Sequence, residues 1–144
     1  MSDKRHNLQA VLITCGDGRF RKMAEELVMP ALGFNDAVYQ EATFDLNVYP
    51  GGAAYGDREQ IVRDTRVFVN AHSLHTIVAC WHNDCAGVPD ESKRRQSTAR
   101  LVELMQLAFR DTTIKTIIVV RLDFDFQYEV IDTVHINIER EARA

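Results

Sequence analysis

The stretch Val11-Leu12-Ile13-Thr14-Cys15-Gly16-Asp17-Gly18-Arg19 reads as a buried strand that stops on a chemically dense turn. A short apolar stretch covers Gln9 to Cys15, and from about Arg21 to Leu32 apolar side chains recur at helical spacing, at Met23, Leu27, Val28 and Ala31, closed by Gly33. A strand feeding a helix is half of an α/β unit, and the rest of the chain continues the pattern. Asp36 to Thr43 has strand character, Tyr49-Pro-Gly-Gly-Ala-Ala-Tyr55 reads as a turn or loop, and Asp57 to about Ala71 as a helix with Ile61, Val62, Val67 and Phe68 inward. Thr76 to Trp81 is a β-branched, apolar strand. Gln96 to Arg110 places Leu101, Leu104, Met105 and Ala108 on one helical face, and Ile114 to Leu122 is another buried strand. Weak alternation from Tyr128 to Ile138 suits a last strand at the sheet edge, with a helix as the alternative. The predicted architecture is one three-layer α/β domain over residues 1–144, a mainly parallel sheet flanked by helices.

Composition narrows the function. A chain of 144 residues is long enough to bury a core without disulfide support. Its 17 basic and 21 acidic side chains give a net charge of -4, with no basic block, so nucleic acid is not an expected partner. No apolar run approaches the ~20 residues that span a bilayer, which excludes a membrane partner and leads to the expectation of a soluble, cytoplasmic protein. Three cysteines form an odd set with no export signal, which argues for reduced thiols serving as metal ligands or core residues.

The chemistry concentrates at two strand ends. In a parallel sheet, ligands gather where the strands end at their C-termini. Cys15 ends the first strand and His82 the third, and Cys85 follows His82 closely enough for one loop to present both to a single ion. Two thiolates and an imidazole suit tetrahedral zinc, at ~2.3 Å and ~2.0 Å, with a fourth position open. Asp17, two residues after Cys15, is within reach of that position, and Arg19 can hold its carboxylate by charge-assisted hydrogen bonds. Asp84 either accepts a hydrogen bond from a ligand or from loop amides or is simply exposed to solvent, and Asp123 and Asp125 fall on the same rim. Pro50-Gly51-Gly52 either brings backbone amides to a small ligand, with Tyr49 or Tyr55 narrowing the cavity, or is a plain turn. Cys80 is expected in the core, His72 and His75 on the surface at the opposite end, and charged Asp90 to Arg95 as a solvated loop or helix start.

Cys15-Gly-Asp17-Gly-Arg19 followed by His82-Asn-Asp-Cys85-Ala-Gly resembles the paired signature of the β-class carbonic anhydrases, in that family's order. The likeness runs from Val11 to Gly87; beyond it only the element order corresponds. It implies that Cys15, His82 and Cys85 bind Zn²⁺ and that Asp17 and Arg19 form a catalytic dyad. The reaction it implies is reversible hydration of carbon dioxide to bicarbonate and a proton by zinc-bound hydroxide. It also implies a low-pH resting form with Asp17 as fourth ligand, and assembly as a homodimer or higher oligomer. The chain departs from the family at Asn47 to Ala54, where only Gly51 and Gly52 correspond to the pocket-lining pattern; these two are carried as substrate-binding candidates. Gly18 stands where serine is frequent, and the long N-terminal helical arm is missing. Two further readings stand beside this one. A carbon disulfide or carbonyl sulfide hydrolase on the same fold would need a long apolar tunnel, for which no extra segments are evident. A non-catalytic zinc-binding relative would need neither Asp17 nor Arg19.

Overall fold

Side-chain alternation along the strands decides which layer each residue joins. In the computed structural model, which describes residues 8–34 and 42–137, one sheet has the order β2-β1-β3-β4-β5. The strands are β1 (Ala10–Cys15), β2 (Phe44–Tyr49), β3 (Thr76–His82), β4 (Thr116–Asp123) and β5 (Gln127–His135). The first four run parallel, and β5 returns antiparallel beside β4 at the edge, a strand and not the alternative helix. The helices are α1 (Gly18–Met23), α2 (Met29–Ala31), α3 (Arg58–His72) and α4 (Glu91–Ala108).

Val11 and Ile13 of β1, Ile77, Ala79 and Trp81 of β3, and Ile117 and Val119 of β4 pack against Ile61 and Val69 of α3 and Leu101 and Met105 of α4. The alternate residues Ala10, Leu12, Val78, Cys80, Val120 and Leu122 pack on the other face against Phe20, Met23, Val28 and Met29. The result is the predicted three-layer α/β fold. The same parity reaches the strand ends: Cys15 continues the face of Val11 and Ile13, His82 that of Val78 and Cys80, so the two approach the sheet's C-terminal edge from opposite sides.

Several boundaries differ from expectation. The first helix begins at Gly18 instead of Arg21, because Asp17 caps it by accepting from the Arg19 N–H at 3.0 Å. It passes through a π-helical turn, Ala24–Val28, just before Pro30, which has no N–H to continue the ladder. The second strand lies at Phe44–Tyr49, after the predicted Asp36 to Thr43, of which 36–41 fall outside the described residues, as does Ile138. Asp90 caps α4 through the Ser92 N–H at 2.8 Å, so the charged stretch is a helix start and Arg94 within it is buried. Val67 is 64% exposed: the inner face of α3 is Ile61, Thr65 and Val69 at i, i+4, i+8, and Val67 projects away from it. His72 and His75 are half-buried, not surface residues; His72 Nδ1 lies 2.7 Å from Asp45 Oδ2, and His75 Nδ1 2.7 Å from Thr76 Oγ1.

Burial first, and the Lys115 charge second, hold the pKa of His75 below its ordinary value. The unfolded chain therefore takes up a proton first as the pH falls, so stability contributed by neutral His75 is full above about pH 7 and declines below about 6.5. Urea midpoints of the metal-free protein between pH 7.5 and 5.5 fall with pH, and His75→Gln makes that fall shallower. An equal slope in the variant would contradict this.

A tight turn joins β4 to β5. The Phe124 carbonyl accepts from the Gln127 N–H at 3.3 Å, and both residues between are left-handed, Asp125 at φ 61° and Phe126 at φ 58°. Turns of this hand favour glycine at the second position, whereas Phe126 is bulky and 68% exposed. Phe126→Gly raises unfolding stability by about 1 kcal/mol, read from the denaturation midpoint; an unchanged or lower midpoint would show no strain there.

Candidate active site

Three donors meet at the C-terminal edge. Cys15 at the end of β1, His82 at the end of β3 and Cys85 in the following loop are all buried, and their ligand atoms lie within 4.8 Å of one another. The edge of a tetrahedron with zinc-like bond lengths is about 3.3–3.8 Å, so a small inward adjustment brings all three onto one ion. No disulfide links any of the three cysteines, which are all free.

The surroundings are organised for a cation. His82 Nδ1 donates to the Asn83 backbone carbonyl at 2.5 Å, while its Nε2 is buried with no hydrogen-bond partner among the described residues. An orphaned buried nitrogen costs about 1–3 kcal/mol, a penalty that a metal ion removes. Burial first lowers the His82 pKa and keeps the ring neutral, the form that ligates. Phe20 stacks on the ring with centroids 4.2 Å apart and planes 13° apart, which fixes its rotation. The Gly51 N–H points at Cys15 Sγ from 3.4 Å and so is placed to donate to that sulfur.

Asp17 and Arg19 form the second part. Arg19 Nε reaches Asp17 Oδ1 at 3.1 Å and Nη2 reaches Oδ2 at 2.7 Å, a two-pronged grip. Those side-chain bonds, against the opposing effect of burial, hold the Asp17 carboxyl below the usual carboxylate range. Asp17 lines a cavity of about 410 Å³ together with Cys15, His82 and Cys85, whose other walls include Val48, Pro50 and Ala86. Arg19 stands outside that cavity, behind the carboxylate.

Gly51 also lines the cavity, whereas Gly52 lies beneath it. At φ 58°, a Cβ on Gly52 would press on the Cys80 carbonyl oxygen and lie 2.8 Å from the Cys15 nitrogen, so this glycine lets the turn seat directly on two strands. Tyr49 lines the cavity, with its hydroxyl 2.7 Å from Asp64 Oδ2; Tyr55 stacks on Tyr49 with centroids 5.3 Å apart. Asp84 is exposed and sits 3.6 Å from Arg19 Nη1 instead of beside His82. Asp123 does reach the rim, where Asn83 Nδ2 donates to its Oδ1 at 3.2 Å and Arg121 Nη1 lies 3.2 Å from its Oδ2. Cys80 is wholly buried, and its thiol is pushed up to about 12 by burial, consistent with a core role. Sequence reasoning missed Phe20 and Asn83, and it aimed the Gly51 amide at a small ligand, whereas that amide meets the Cys15 sulfur. Starting the helix at Gly18 would have exposed Phe20 as an inward residue, but Asn83 acts through its carbonyl on His82 and through its side chain on Asp123, 40 positions away, and leaves no local pattern.

No protein-family pattern and no curated protein sequence matches the chain. Solved structures do match its shape. The carbonic anhydrase of Streptococcus mutans superposes with a TM-score of 0.59 at 16% identity, over 92% of this chain and 86% of that one. A tetrameric β-carbonic anhydrase of Sordaria macrospora gives 0.55 at 12% identity, over 90% and 83%. A β-carbonic anhydrase of Aspergillus fumigatus gives 0.50 at 14%, over 96% and 82%. The fold is that of the β-carbonic anhydrases.

Proposed function

We propose that this chain is a zinc enzyme that reversibly hydrates carbon dioxide to bicarbonate and a proton, with Cys15, His82 and Cys85 as metal ligands and Asp17 and Arg19 as the assisting dyad. The observation that carries this reading is the partnerless, buried His82 Nε2 among two thiols, in one cavity with a carboxylate gripped by arginine. A structural metal site has no use for that pair. Two sulfurs and one imidazole nitrogen are a donor set suited to zinc, and they leave a fourth position open.

Zinc, when bound, supplies a Lewis acid that makes a coordinated water more acidic. The chain's own groups do the rest. Asp17, kept ionised by Arg19, accepts the hydrogen bond of a water in the cavity and orients it. Arg19 prevents the carboxylate from rotating or taking up that proton itself. The Gly51 N–H takes up part of the charge on Cys15. Val48, Pro50 and Ala86 give the cavity apolar walls, which suit a small linear substrate without charge. Gly51 is the proposed substrate-facing glycine of the pocket, with Gly52 as its support. The proposed assembly is a homodimer or higher oligomer, supported by the tetrameric Sordaria protein, and the proposed compartment is the cytoplasm; no helix of the described residues is long and apolar enough to cross a membrane.

The test compares substrates on the zinc-loaded protein. Carbon dioxide hydration exceeds carbonyl sulfide hydrolysis under matched conditions if the reading is right. Faster sulfide release would reassign the substrate, and one zinc per chain with neither reaction accelerated would make the site non-catalytic.

A further inference from the structure

The β4–β5 turn carries an exposed aromatic residue to the back of the dyad. Phe124 is 42% exposed, yet its ring lies 5.8 Å from the Arg19 guanidinium carbon and its centroid 5.6 Å from that of Phe20. Phe20 in turn lies 5.2 Å from the guanidinium carbon and stacks on His82. Arg19, more than half exposed, is therefore held from three sides: Asp17 in front, Asp84 at its outer nitrogen, and two ring faces behind. Gly18, Arg19, Phe20 and Phe124 share the wall of one cleft.

The turn that delivers Phe124 is itself tied to the ligand loop. Asp123 Oδ1 accepts from the Phe124 N–H at 2.8 Å and from Asn83 Nδ2 at 3.2 Å, and the carbonyl of the same Asn83 accepts from His82. A surface arginine with a flexible stem loses considerable rotamer freedom in holding one geometry, and an ion pair in water repays that weakly. Aromatic faces supply the missing restraint, because a guanidinium lies over a ring in few orientations.

We propose that Phe124 is a positioning residue for Arg19: by bracketing the guanidinium with Phe20, it keeps the two-pronged grip on Asp17 closed. The functional part rests on reading Asp17 and Arg19 as the working dyad; the geometric part does not.

The test follows the Arg19 Nε–H signal by NMR in arginine-labelled protein, beside zinc content and carbon dioxide hydration. In wild type the signal is displaced by the neighbouring rings and exchanges slowly with water. Phe124→Ala moves it toward an ordinary exposed arginine and speeds exchange, Phe124→Trp restores protection, and Phe126→Gly, which alters the turn but removes no ring from Arg19, leaves it in place. Zinc content stays the same throughout, and kcat/KM falls about two- to fivefold in Phe124→Ala and recovers in Phe124→Trp. An Arg19 signal unmoved by Phe124→Ala would overturn the proposal whatever the activity. A signal that responds in a protein with no hydration activity would support the positioning role and sink the functional reading instead.

Discussion

Asp17→Asn lowers carbon dioxide hydration by about two to three orders of magnitude without changing zinc content or fold. The substitution is nearly isosteric, and asparagine caps a helix as well as aspartate, so the Arg19 N–H bond that starts α1 survives. What disappears is the charge. An amide offers one oxygen in place of two, so the paired contacts at 3.1 and 2.7 Å from Arg19 cannot both persist, and the cavity loses its anionic acceptor. Stopped-flow rates with equal zinc per chain read the effect. A variant as fast as wild type would remove Asp17 from the mechanism and leave the metal cluster to act without it.

Gly52→Ala destabilises the protein by about 3 kcal/mol, a large part of the stability of a domain this size. A left-handed φ of 58° is unfavourable for alanine, and its methyl group meets backbone on two strands, the Cys80 carbonyl and the Cys15 nitrogen, neither of which can swing aside as a side chain would. Relief requires moving the turn or β1, and Cys15 moves with either. Urea denaturation of the metal-free protein measures the loss, and zinc titration shows weaker binding by the same variant. Wild-type stability would mean that the turn sits less tightly on the sheet than described.

Legibility in the sequence followed burial. β1 and β3 are covered on both faces, so Ala10 to Cys15 and Thr76 to Trp81 read as near-continuous apolar runs, and the candidate ligands Cys15 and His82 stand at their ends. β2 escaped because it is a half-buried edge strand whose alternate residues are polar for tertiary reasons: Asp45 pairs with His72, and Asn47 Nδ2 lies 3.3 Å from Thr65 Oγ1. Nothing local announces those partners. The start of α1 was obscured because its cap, Asp17, is also a site residue and glycine follows it. The dyad itself was legible, since two residues two apart across a helix cap necessarily lie close. Its bracket of Phe20 and Phe124 was not, because it joins segments more than 100 positions apart.

The most direct measurement is carbon dioxide hydration followed with a pH indicator at pH 8.5, comparing protein stripped of metal with the same sample reloaded to one zinc per chain. Proton release accelerated only after reloading is the predicted result. One zinc bound and no acceleration over buffer would contradict the account at its centre.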